Sequence, residues 1–454
     1  MSQENDLTRR DVVKIAGAAG VVAAARKMEG APAIQTVKAT NNQVQYGLIG
    51  TGSRGSYLLK HLKSIDNGRC VAVCDINEDH LKQGAETIGT NPDKFKDYRE
   101  LLARRDIDAV YIATPLFVHF PVTKDALLAG KHTFCEKSLV FKPEEIHELR
   151  ALANARPKQV LQVGLQRRYS QYYQLAKEMV DKGVLGNVTH VHAQWHRNPG
   201  WQMKPNPDPM QQRMNNWRLF REYSGGLTAE LASHQIDVAD WMFGATPDYV
   251  IGVGSRDTMN DGRDIFDNIQ LIYKYPNGRK LIYSAISTNA HLPLFNATRS
   301  EMGEVIMGTA GTIHITVGDD DHAPIAMWFR EPNAPKVTKA GEVKENWKAG
   351  ATMVAGGVGK GLPIVAQRDE VTGSEGFIER EMKFARRWLY TKGVMVPEEQ
   401  RNPVDIELES FLNNCRDGGR PRADLEVGLA DSTAVILSNL AMDQERRVNF
   451  SEIE

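Results

Sequence analysis

The sequence has few cysteines, no long apolar run and no excess of either charge. Four cysteines in 454 residues cannot form a disulfide framework. The formal net charge is −1, from 56 Lys and Arg against 57 Asp and Glu, so the chain lacks the basic excess of a general nucleic-acid binder. It also lacks the roughly 20 consecutive apolar residues that span a bilayer. We therefore predict a protein that binds no nucleic acid and has no membrane span.

Length and composition indicate a folded protein with more than one core. A chain of 454 residues is too long for a single hydrophobic core, so at least two domains are expected. Apolar residues make up 41% and charged residues 25% of the chain, which is the balance of a globular protein rather than of a disordered one.

The first residues resemble an export signal. The pair Arg9-Arg10 precedes a run of small and apolar residues, Ile15 to Ala25, which is too short for a membrane helix but suits a signal peptide. The arginine pair is typical of bacterial twin-arginine signals, and Ala31-Pro32-Ala33 and Ala23-Ala24-Ala25 are competing cleavage sites. An amphipathic helix of the mature domain is the alternative, but the run has no polar face. We therefore predict a signal peptide over residues 1–33, a periplasmic or otherwise exported bacterial protein, and the twin-arginine export machinery as a partner.

Strand-like and helical patterns alternate between residues 44 and 163. Short apolar runs are separated by stretches with apolar residues at helical spacing. The expected strands are 44–49, 71–73, 109–113, 133–135 and 160–163. This alternation predicts an α/β fold with a doubly wound parallel sheet.

A glycine-rich motif directly follows the first expected strand and opens the first helix. It consists of Gly50, Thr51, Gly52, Ser53, Arg54 and Gly55. In a dinucleotide-binding loop of this spacing, the first glycine permits a tight turn, the second lets the backbone approach the pyrophosphate, and the third allows close helix–strand packing. The phosphates lie at the helix N-terminus, where unpaired N–H groups favour anions. We predict that these residues bind a dinucleotide; a purely structural glycine turn is the alternative.

Asp75 bears on which dinucleotide is bound. It ends the second expected strand, 20 residues after Gly55, where an acidic residue binds the ribose 2′-hydroxyl. Its carboxylate would repel a 2′-phosphate, so the sequence favours NAD over NADP, although Arg54 is a nearby candidate for a 2′-phosphate. Capping of the next helix is the alternative role for Asp75. Twin-arginine export carries folded proteins, so the NAD could be acquired in the cytoplasm. Because the periplasm has no evident nicotinamide pool, the NAD would have to stay tightly bound.

Further motifs follow the glycine-rich loop. They are Ala113-Thr114-Pro115 with His119, Ala129-Gly130-Lys131-His132 with Cys135-Glu136-Lys137, Gly225-Gly226 through Trp241, and Gly308 to Thr312. Over roughly residues 44–315 they make the chain resemble the glucose–fructose oxidoreductase/inositol dehydrogenase (Gfo/Idh/MocA) family. The resemblance implies an N-terminal Rossmann domain, a C-terminal α/β domain with a large open, mostly antiparallel sheet, and homodimers or homotetramers. It also implies cofactor contacts from Thr114, Pro115, His119, Glu136 and Lys137.

The resemblance suggests where the domains begin and end. Residues 44–165 are expected to form the NAD-binding Rossmann domain, and residues 166–402 the substrate and oligomerisation domain, with an insertion at about 318–375. Residues 403–454 are expected to be C-terminal helices that pack at the domain junction. The chain departs from the family at Ser138, where the family usually has proline after the lysine.

The expected catalytic groups are Lys137, His234 and Glu230. Oxidation of an alcohol needs a base for the hydroxyl proton and a group that stabilises negative charge on oxygen. The resemblance assigns these roles to His234 and Lys137. Glu230, in place of the family's usual aspartate, lies four residues before His234 on one helix face and is expected to orient it and support its charged form. The alternatives are a Lys137–Glu136 surface ion pair and a histidine satisfied within the core.

Six further residues are candidates for binding the substrate: Arg168, Tyr169, His196, Trp217, Arg218 and Asp237. Arg168 and Tyr169 could bind sugar hydroxyls or equally pack between the domains. Trp217 could face a sugar or simply pack.

Histidines alternate along one expected strand. His190, His192 and His196 share one side, but the spacing of roughly 6.6 Å between neighbours is long for sharing one ion, so no metal site is predicted. A polar sheet face with His196 reaching a saccharide is favoured, and Trp195, on the other side, is expected in the core.

Three functional hypotheses follow. The first is an exported NAD-dependent dehydrogenase that oxidises a ring hydroxyl of a small sugar or glycoside, with C3 as a candidate position. The second is a redox-assisted glycosidase, which uses bound NAD to oxidise a sugar transiently, eliminates the aglycone and reduces the product again. The third is a non-catalytic nucleotide-binding protein with the same fold.

Overall fold

The computed structural model describes residues 43–197, 201–290, 302–316, 325–331, 362–363 and 401–453. The predicted signal peptide, residues 1–33, and most of the predicted insertion, residues 318–375, lie outside the described residues. The export signal therefore stays a prediction.

The first sheet has six strands, all parallel. They are β1 Val44–Ile49, β2 Gly68–Cys74, β3 Asp93–Phe95, β4 Ala109–Ile112, β5 His132–Cys135 and β6 Leu161–Val163, in the spatial order β3-β2-β1-β4-β5-β6. The predicted doubly wound sheet is confirmed. The short edge strand β3 is an addition that the sequence pattern does not indicate, because none of its residues is buried.

Helices cover both faces of this sheet, so its strand residues alternate between two cores. The helices are α1 Ser53–Leu62, α2 Glu78–Ile88, α3 Tyr98–Leu102, α4 His119–Leu128 and α5 Pro143–Asn154. Leu48 and Tyr111 enter one core together with apolar residues of α1 and α2, whereas Ile49 and Ile112 enter the other with residues of α4 and α5.

The strand register brings the carboxyl ends of the central strands to one edge. Ile49 pairs with both Cys74 and Ile112, and Cys135 pairs with Ile112. Strands β2 and β3 lie on one side of β1, and β4 to β6 lie on the other, so the direction in which strands are added reverses between β1 and β4. Ligands of such sheets bind in the crevice at this position. The loops that follow β1, β2, β4 and β5 therefore line one crevice.

Within the described residues, the second sheet has nine strands and is mostly antiparallel. The strands are β7 Val188–His196, β8 Tyr249–Ser255, β9 Asn268–Lys274, β10 Lys280–Ile286, β11 Met302–Gly308, β12 Gly311–Thr316, β13 Ile325–Arg330, β14 Leu362–Pro363 and β15 Val448–Asn449. Their order is β14-β13-β12-β11-β7-β10-β9-β8-β15, and only β7 and β10 pair in parallel. This sheet confirms the α/β fold class with an open, mostly antiparallel second sheet.

The two faces of the second sheet differ. On one face its core takes in apolar residues of α6 Gln171–Asp181 and α8 Ser233–Phe243. A short helix, α7 Pro209–Asn215, lies in the loop between β7 and α8. The other face exposes apolar side chains: Val253 is 68% exposed and Ile272 is 40% exposed.

Two C-terminal helices follow, of which the first packs on the first domain and the second contacts elements of both sheets. In α9, Pro403–Asp417, the Phe411 ring lies 5.0 Å from the Tyr111 ring of β4, inside a core of the first domain. The second helix, α10 Leu425–Asp443, contacts α5 and β6 on one side and α8 and β8 on the other. With a mean hydropathy of 1.2, α10 is long and apolar enough to span a membrane, but 61% of its apolar window is buried, as in the core helix of a folded domain.

Candidate functional site

The glycine-rich loop makes a tight turn between β1 and α1. Gly50 has a φ of +91°, and a Cβ there would lie 2.7 Å from the Ala113 carbonyl oxygen. A Cβ on Gly55 would lie 1.8 Å from the Gly50 carbonyl oxygen, so α1 packs directly on the turn. Both glycines are thus required by the protein's own backbone.

Gly52 differs from the other two glycines. A Cβ there would meet only the His80 ring, at 3.7 Å, so packing within the chain does not require glycine at this position. Gly52 is also the N-cap of α1 and offers no side-chain cap, which leaves the first N–H groups of the helix for another acceptor. Open space beside free helix N–H groups fits a pyrophosphate.

Asp75 holds the loops around this turn. One carboxylate oxygen accepts a hydrogen bond from the Thr51 backbone N–H at 2.8 Å, and the other accepts from the Asn77 N–H at 2.8 Å. The cap of α2 is Asn77, whose side chain accepts from Asp79 and His80, so the alternative role of Asp75 as the cap is wrong. Asp75 remains at the crevice, where the ribose is expected.

Arg54 points away from Asp75, towards the domain junction. Its Nε donates to Glu136 at 2.7 Å and its Nη2 donates to Gln166 at 3.0 Å. Burial lowers the pKa of Arg54, but the carboxylates of Glu136 and Glu407 together raise it above its usual value. Because the guanidinium and Glu136 occupy each other, the structure does not support Arg54 as a ligand of a 2′-phosphate.

Lys137 crosses from the first domain to the second. It follows β5, and its Nζ donates to the backbone oxygens of Ala229 and Glu230, both at 2.8 Å. Burial lowers the pKa of Lys137, while the carboxylates of Glu230, Glu136 and Asp431 oppose that shift. An ammonium group has three N–H donors, so one remains for a ligand.

His234 lies at the start of α8, next to Lys137's backbone partners. A single π-helical turn, Thr228–Ala232, precedes α8, and such turns are frequent at functional sites. Burial, together with the charges of Lys137, Arg167 and Arg54, holds the pKa of His234 well below its usual value of 6.5. Its Nδ1 has no hydrogen-bond partner within the part of the chain that the structure describes. His234 is therefore a neutral imidazole that can accept a proton.

The expected role of Glu230 is wrong. Its carboxylate accepts from Arg218 Nε at 3.0 Å and from Ser224 Oγ at 3.3 Å, and it forms no hydrogen bond with His234. Alignment of residues four apart is a property of the α-helix, whereas Glu230 lies in the π turn. Glu230 therefore holds Arg218, and its charge does not keep His234 protonated.

Arg168 and Asp237 form an ion pair at the domain junction. The Arg168 Nη2 lies 2.7 Å from an Asp237 carboxylate oxygen, and its guanidinium lies 5.2 Å from the Trp241 ring. Asp237 is 2% exposed and Tyr169 is 1% exposed. Of the two roles left open for Arg168 and Tyr169, the structure favours interdomain packing, and Asp237 has the same role.

On strand β7, Trp195 faces the site instead of the expected His196. His196 bonds to Ser284 Oγ at 2.8 Å, on the face opposite to Trp195. The Trp195 ring packs against the core as expected, but its centre also lies 6.2 Å from that of the His234 ring. The prediction that His196 reaches the saccharide is therefore wrong, because the helix layer that carries His234 covers the other face.

Trp217 and Arg218 lie together beside Glu230. The Arg218 guanidinium lies 4.3 Å from the Trp217 ring centre, while Glu230 fixes its Nε. The Tyr223 ring of the same segment lies 5.0 Å from Phe117, next to the Thr114-Pro115 turn. This segment therefore connects the helix that carries His234 to the turn at Thr114-Pro115.

Two buried carboxyl groups of the C-terminal helices lie at the site but are not predicted from the sequence. Asp431 of α10 is 1% exposed beside Lys137 and Ser138, and Glu407 of α9 is 0% exposed near Arg54 and Glu136. Burial raises the pKa of Asp431 to about 8 and raises that of Glu407 well above its usual value. No local pattern marks either residue, since each meets the site only through packing.

No metal site is found in the described residues, where no three His, Cys, Asp or Glu side chains come together.

Comparison with known families identifies both sheets. Residues 44–165 match the model described as "Oxidoreductase family, NAD-binding Rossmann fold". Residues 173–314 match the "GFO/IDH/MocA C-terminal domain", and the two matches together cover more than half of the chain.

Individual relatives match over a smaller part. Inositol 2-dehydrogenase of Gluconacetobacter diazotrophicus is 35% identical over 153 residues, which cover 34% of this chain and 45% of that protein. A glycosyl hydrolase family 109 protein of a Shewanella species is 31% identical over 196 residues, covering 41% of this chain and 42% of that protein. The chain spans about half the length of the curated relatives it matches.

A solved structure extends the likeness to the whole fold. Levoglucosan dehydrogenase in complex with NADH aligns with a TM-score of 0.65 and 18% identity, covering 90% of this chain and 99% of that one. At this identity the likeness concerns the fold alone.

The two kinds of glycine in the loop predict different mutant phenotypes. Gly55→Ala is expected to lower the free energy of unfolding by about 3 kcal/mol, the upper end for overpacking, because its Cβ would lie 1.8 Å from a backbone oxygen. Urea unfolding measures this loss.

Gly52→Ala is the matched control. Its Cβ has open space, so the free energy of unfolding should change by no more than about 0.5 kcal/mol. NAD affinity should nevertheless fall, because the methyl group occupies the approach to the helix N-terminus. Equal destabilisation by both substitutions would contradict this division.

Proposed function

Because the chain belongs to the Gfo/Idh/MocA family of oxidoreductases, we propose that it transfers hydride between a hydroxyl-bearing carbon of a sugar or glycoside and a nicotinamide cofactor. The observation that carries the proposal is the approach of Lys137, from the first domain, to the turn that leads into His234, from the second. The nicotinamide, when bound, accepts or returns the hydride. The residues that would hold it are the glycine-rich loop, Asp75 and the turn at Thr114-Pro115.

His234 is suited to be the base of the oxidation. Its pKa is depressed by burial and by three nearby cations, so the ring is neutral at ordinary pH and able to take the hydroxyl proton. Since these cations also disfavour the protonated ring, the proton would leave it readily for solvent. In the reverse direction the same ring would have to be protonated first.

Lys137 is suited to stabilise the oxygen that loses this proton. Two of its N–H groups are fixed on backbone oxygens at 2.8 Å, which leaves the third in a defined direction. A fixed ammonium group near a developing alkoxide lowers the barrier because it needs no reorganisation during the reaction.

The substrate side of the proposal rests on Trp217, Arg218 and Trp195. Indole rings cover the apolar C–H face of a sugar, and the Arg218 guanidinium, held on Glu230, is free to donate to hydroxyl groups at its terminal nitrogens.

C3 of a glycoside is the position we propose for oxidation. The proposed location is outside the cytoplasm, on the strength of Arg9-Arg10 and the apolar run after it, which cell fractionation would test.

Substitution of the two catalytic residues tests the proposal. Lys137→Ala and His234→Ala should each lower kcat/KM by about 10²–10⁴, the range for loss of a proton-transfer or charge-stabilising group, with NAD affinity changed by no more than about threefold. Stopped-flow NADH absorbance and equilibrium NAD binding measure the two quantities. Lys158→Ala, in an exposed loop, is the control and should leave both unchanged. Normal turnover in both catalytic variants would refute the assignment.

We propose NAD rather than NADP as the cofactor, because Asp75 presents a carboxylate at the expected ribose position and Arg54 is engaged elsewhere. Asp75→Asn keeps an acceptor for the Thr51 N–H but removes the charge. The ratio of the dissociation constants for NADP and NAD should therefore fall by roughly tenfold, the scale of one hydrogen bond to a charged group. Asp79→Ala, an exposed acidic residue of the next helix, should leave the ratio unchanged. A wild-type preference for NADP would contradict the proposal.

A redox-assisted glycosidase is the second candidate, favoured by the 31% identity to a glycosyl hydrolase family 109 protein. In such a reaction, oxidation at a ring carbon acidifies the neighbouring C–H, the aglycone is eliminated, water adds, and the same hydride is returned. His234 and Lys137 would serve the redox steps unchanged.

Product analysis separates the two candidates. Incubation with a panel of glycosides should yield an oxidised glycoside and one equivalent of NADH if the protein is a dehydrogenase, as read by mass spectrometry and absorbance. Release of aglycone without net NADH would instead establish the glycosidase. An identical panel run with His234→Ala controls for spontaneous hydrolysis.

A further inference from the structure

His119 lies beneath the crevice and has no access to it. It begins α4, just after the Thr114-Pro115 turn, and is 2% exposed. Its Nε2 lies 2.9 Å from the backbone oxygen of Thr114, and its Nδ1 lies 2.8 Å from the backbone oxygen of Ser138. Both ring nitrogens are thus occupied, and the prediction that His119 contacts the cofactor directly is wrong.

These two contacts determine the charge of the ring. A carbonyl oxygen can only accept a hydrogen bond, whereas a neutral imidazole has one N–H and one bare nitrogen. In a neutral ring, one of the two contacts would set a nitrogen lone pair against an oxygen lone pair, in a buried place where an unsatisfied polar group is costly. We propose that His119 is a buried imidazolium that donates to both carbonyls and so clamps the β4 and β5 loops together.

The surroundings agree with this charge. Burial by itself lowers the pKa of His119, but neighbouring Cys135 and the two carbonyl oxygens raise it to about 9. Cys135 of β5 is the titratable side chain that faces the ring; the other facing groups are the backbone oxygens. Cys135 itself is 0% exposed.

The clamp positions Lys137. Ser138, whose carbonyl His119 holds, directly follows Lys137, and Thr114 lies at the end of the adjacent strand β4. The peptide bond between Lys137 and Ser138 is cis. On the far side, Ser432 Oγ of α10 accepts from the Leu139 N–H at 3.0 Å. The segment that carries the catalytic lysine is therefore held by hydrogen bonds with His119 on one side and with Ser432 on the other. His119 is its positioning residue on the cofactor-binding domain. This role rests on the proposed function, whereas the charge of the ring does not.

The chain contains its own reference for the measurement. His132 of β5 accepts a hydrogen bond from the Val160 N–H at its Nδ1, at 2.9 Å, so that nitrogen carries no proton. Burial lowers the pKa of His132. Of these two histidines of the first domain, His119 should therefore be charged and His132 neutral at neutral pH.

Nitrogen-15 NMR of the full protein tests the charge directly. At pH 7.5, both ring nitrogens of His119 should show the shifts of protonated nitrogen, while His132 should show one protonated and one bare nitrogen. The His119 shifts should change with a midpoint near pH 9. Cys135→Ala keeps both carbonyl contacts, so double protonation at pH 7.5 should survive in that variant. A single protonated nitrogen on His119 at pH 7.5 would overturn the proposal.

The His119→Gln variant tests the positioning role, since its amide can donate to only one side. Because the clamp also holds the Thr114-Pro115 turn, which is proposed to bind the cofactor, NAD affinity should fall about tenfold at pH 7, the scale of one lost bond to a charged donor. The raised pKa of His119 means that the clamp is complete below its unfolded value of about 6.5 and is lost as pH rises through about 9. The ratio of mutant to wild-type dissociation constants should therefore approach one above pH 9.

The two measurements separate the possible failures. A ratio that does not change with pH, or equal affinity at pH 7, would refute the positioning role. If the wild-type protein binds no nicotinamide while His119 is doubly protonated, the proposed function fails and the charge assignment stands. If His119→Gln does not fold, the NMR experiment on the wild type still decides the charge, and the pH dependence of wild-type NAD affinity decides the role.

Discussion

The ammonium group of Lys137 comes from the first domain, but its two hydrogen-bond acceptors belong to the second domain. Two of its N–H groups donate to carbonyls at 2.8 Å, in a buried setting where an unpaired charge is costly. Burial and this same charge lower the pKa of His234, while the carboxylates of Glu230, Glu136 and Asp431 oppose the effect of burial on the pKa of Lys137. The position of the Lys137 ammonium group therefore affects three properties at once. These are the packing of the two domains, the protonation of His234 and the net charge of the site.

The parts of this arrangement that can be predicted from sequence are those with local signals. The roles of Gly50 and Gly55 are predicted by a motif of six residues, and Asp75 follows at a characteristic distance, because all three belong to one βαβ unit. Gly50 and Asp75 directly follow its two strands, and Gly55 lies in its helix. Lys137 has no local pattern of its own, and only the resemblance to a family distinguishes it from a surface lysine. The glycine loop also illustrates a limit, because the spacing does not reveal that Gly52, unlike Gly50 and Gly55, has room for a Cβ.

The predictions for His196 and Glu230 are wrong because they depend on parts of the structure that the local sequence pattern does not describe. Alternation along β7 correctly separates His196 from Trp195, but which face meets His234 depends on the helix layer over the sheet. Glu230 turns to Arg218 because one π turn changes the spacing on its helix. Asp431 and Glu407 enter the site from helices beyond residue 403, and no pattern near them indicates which residues they will meet.

The helix α9 completes a core of the first domain, with Phe411 against Tyr111 and Phe134. In a chain made from its N-terminus, β6 ends at residue 163 and α9 begins at residue 403. At about 5–20 residues per second, that interval lasts on the order of tens of seconds. Throughout it, the aromatic side chains of β4 and β5 lack their covering helix on the ribosome. The domain that is encoded first is thus finished last, and chaperones have a long opportunity to bind it before it can close.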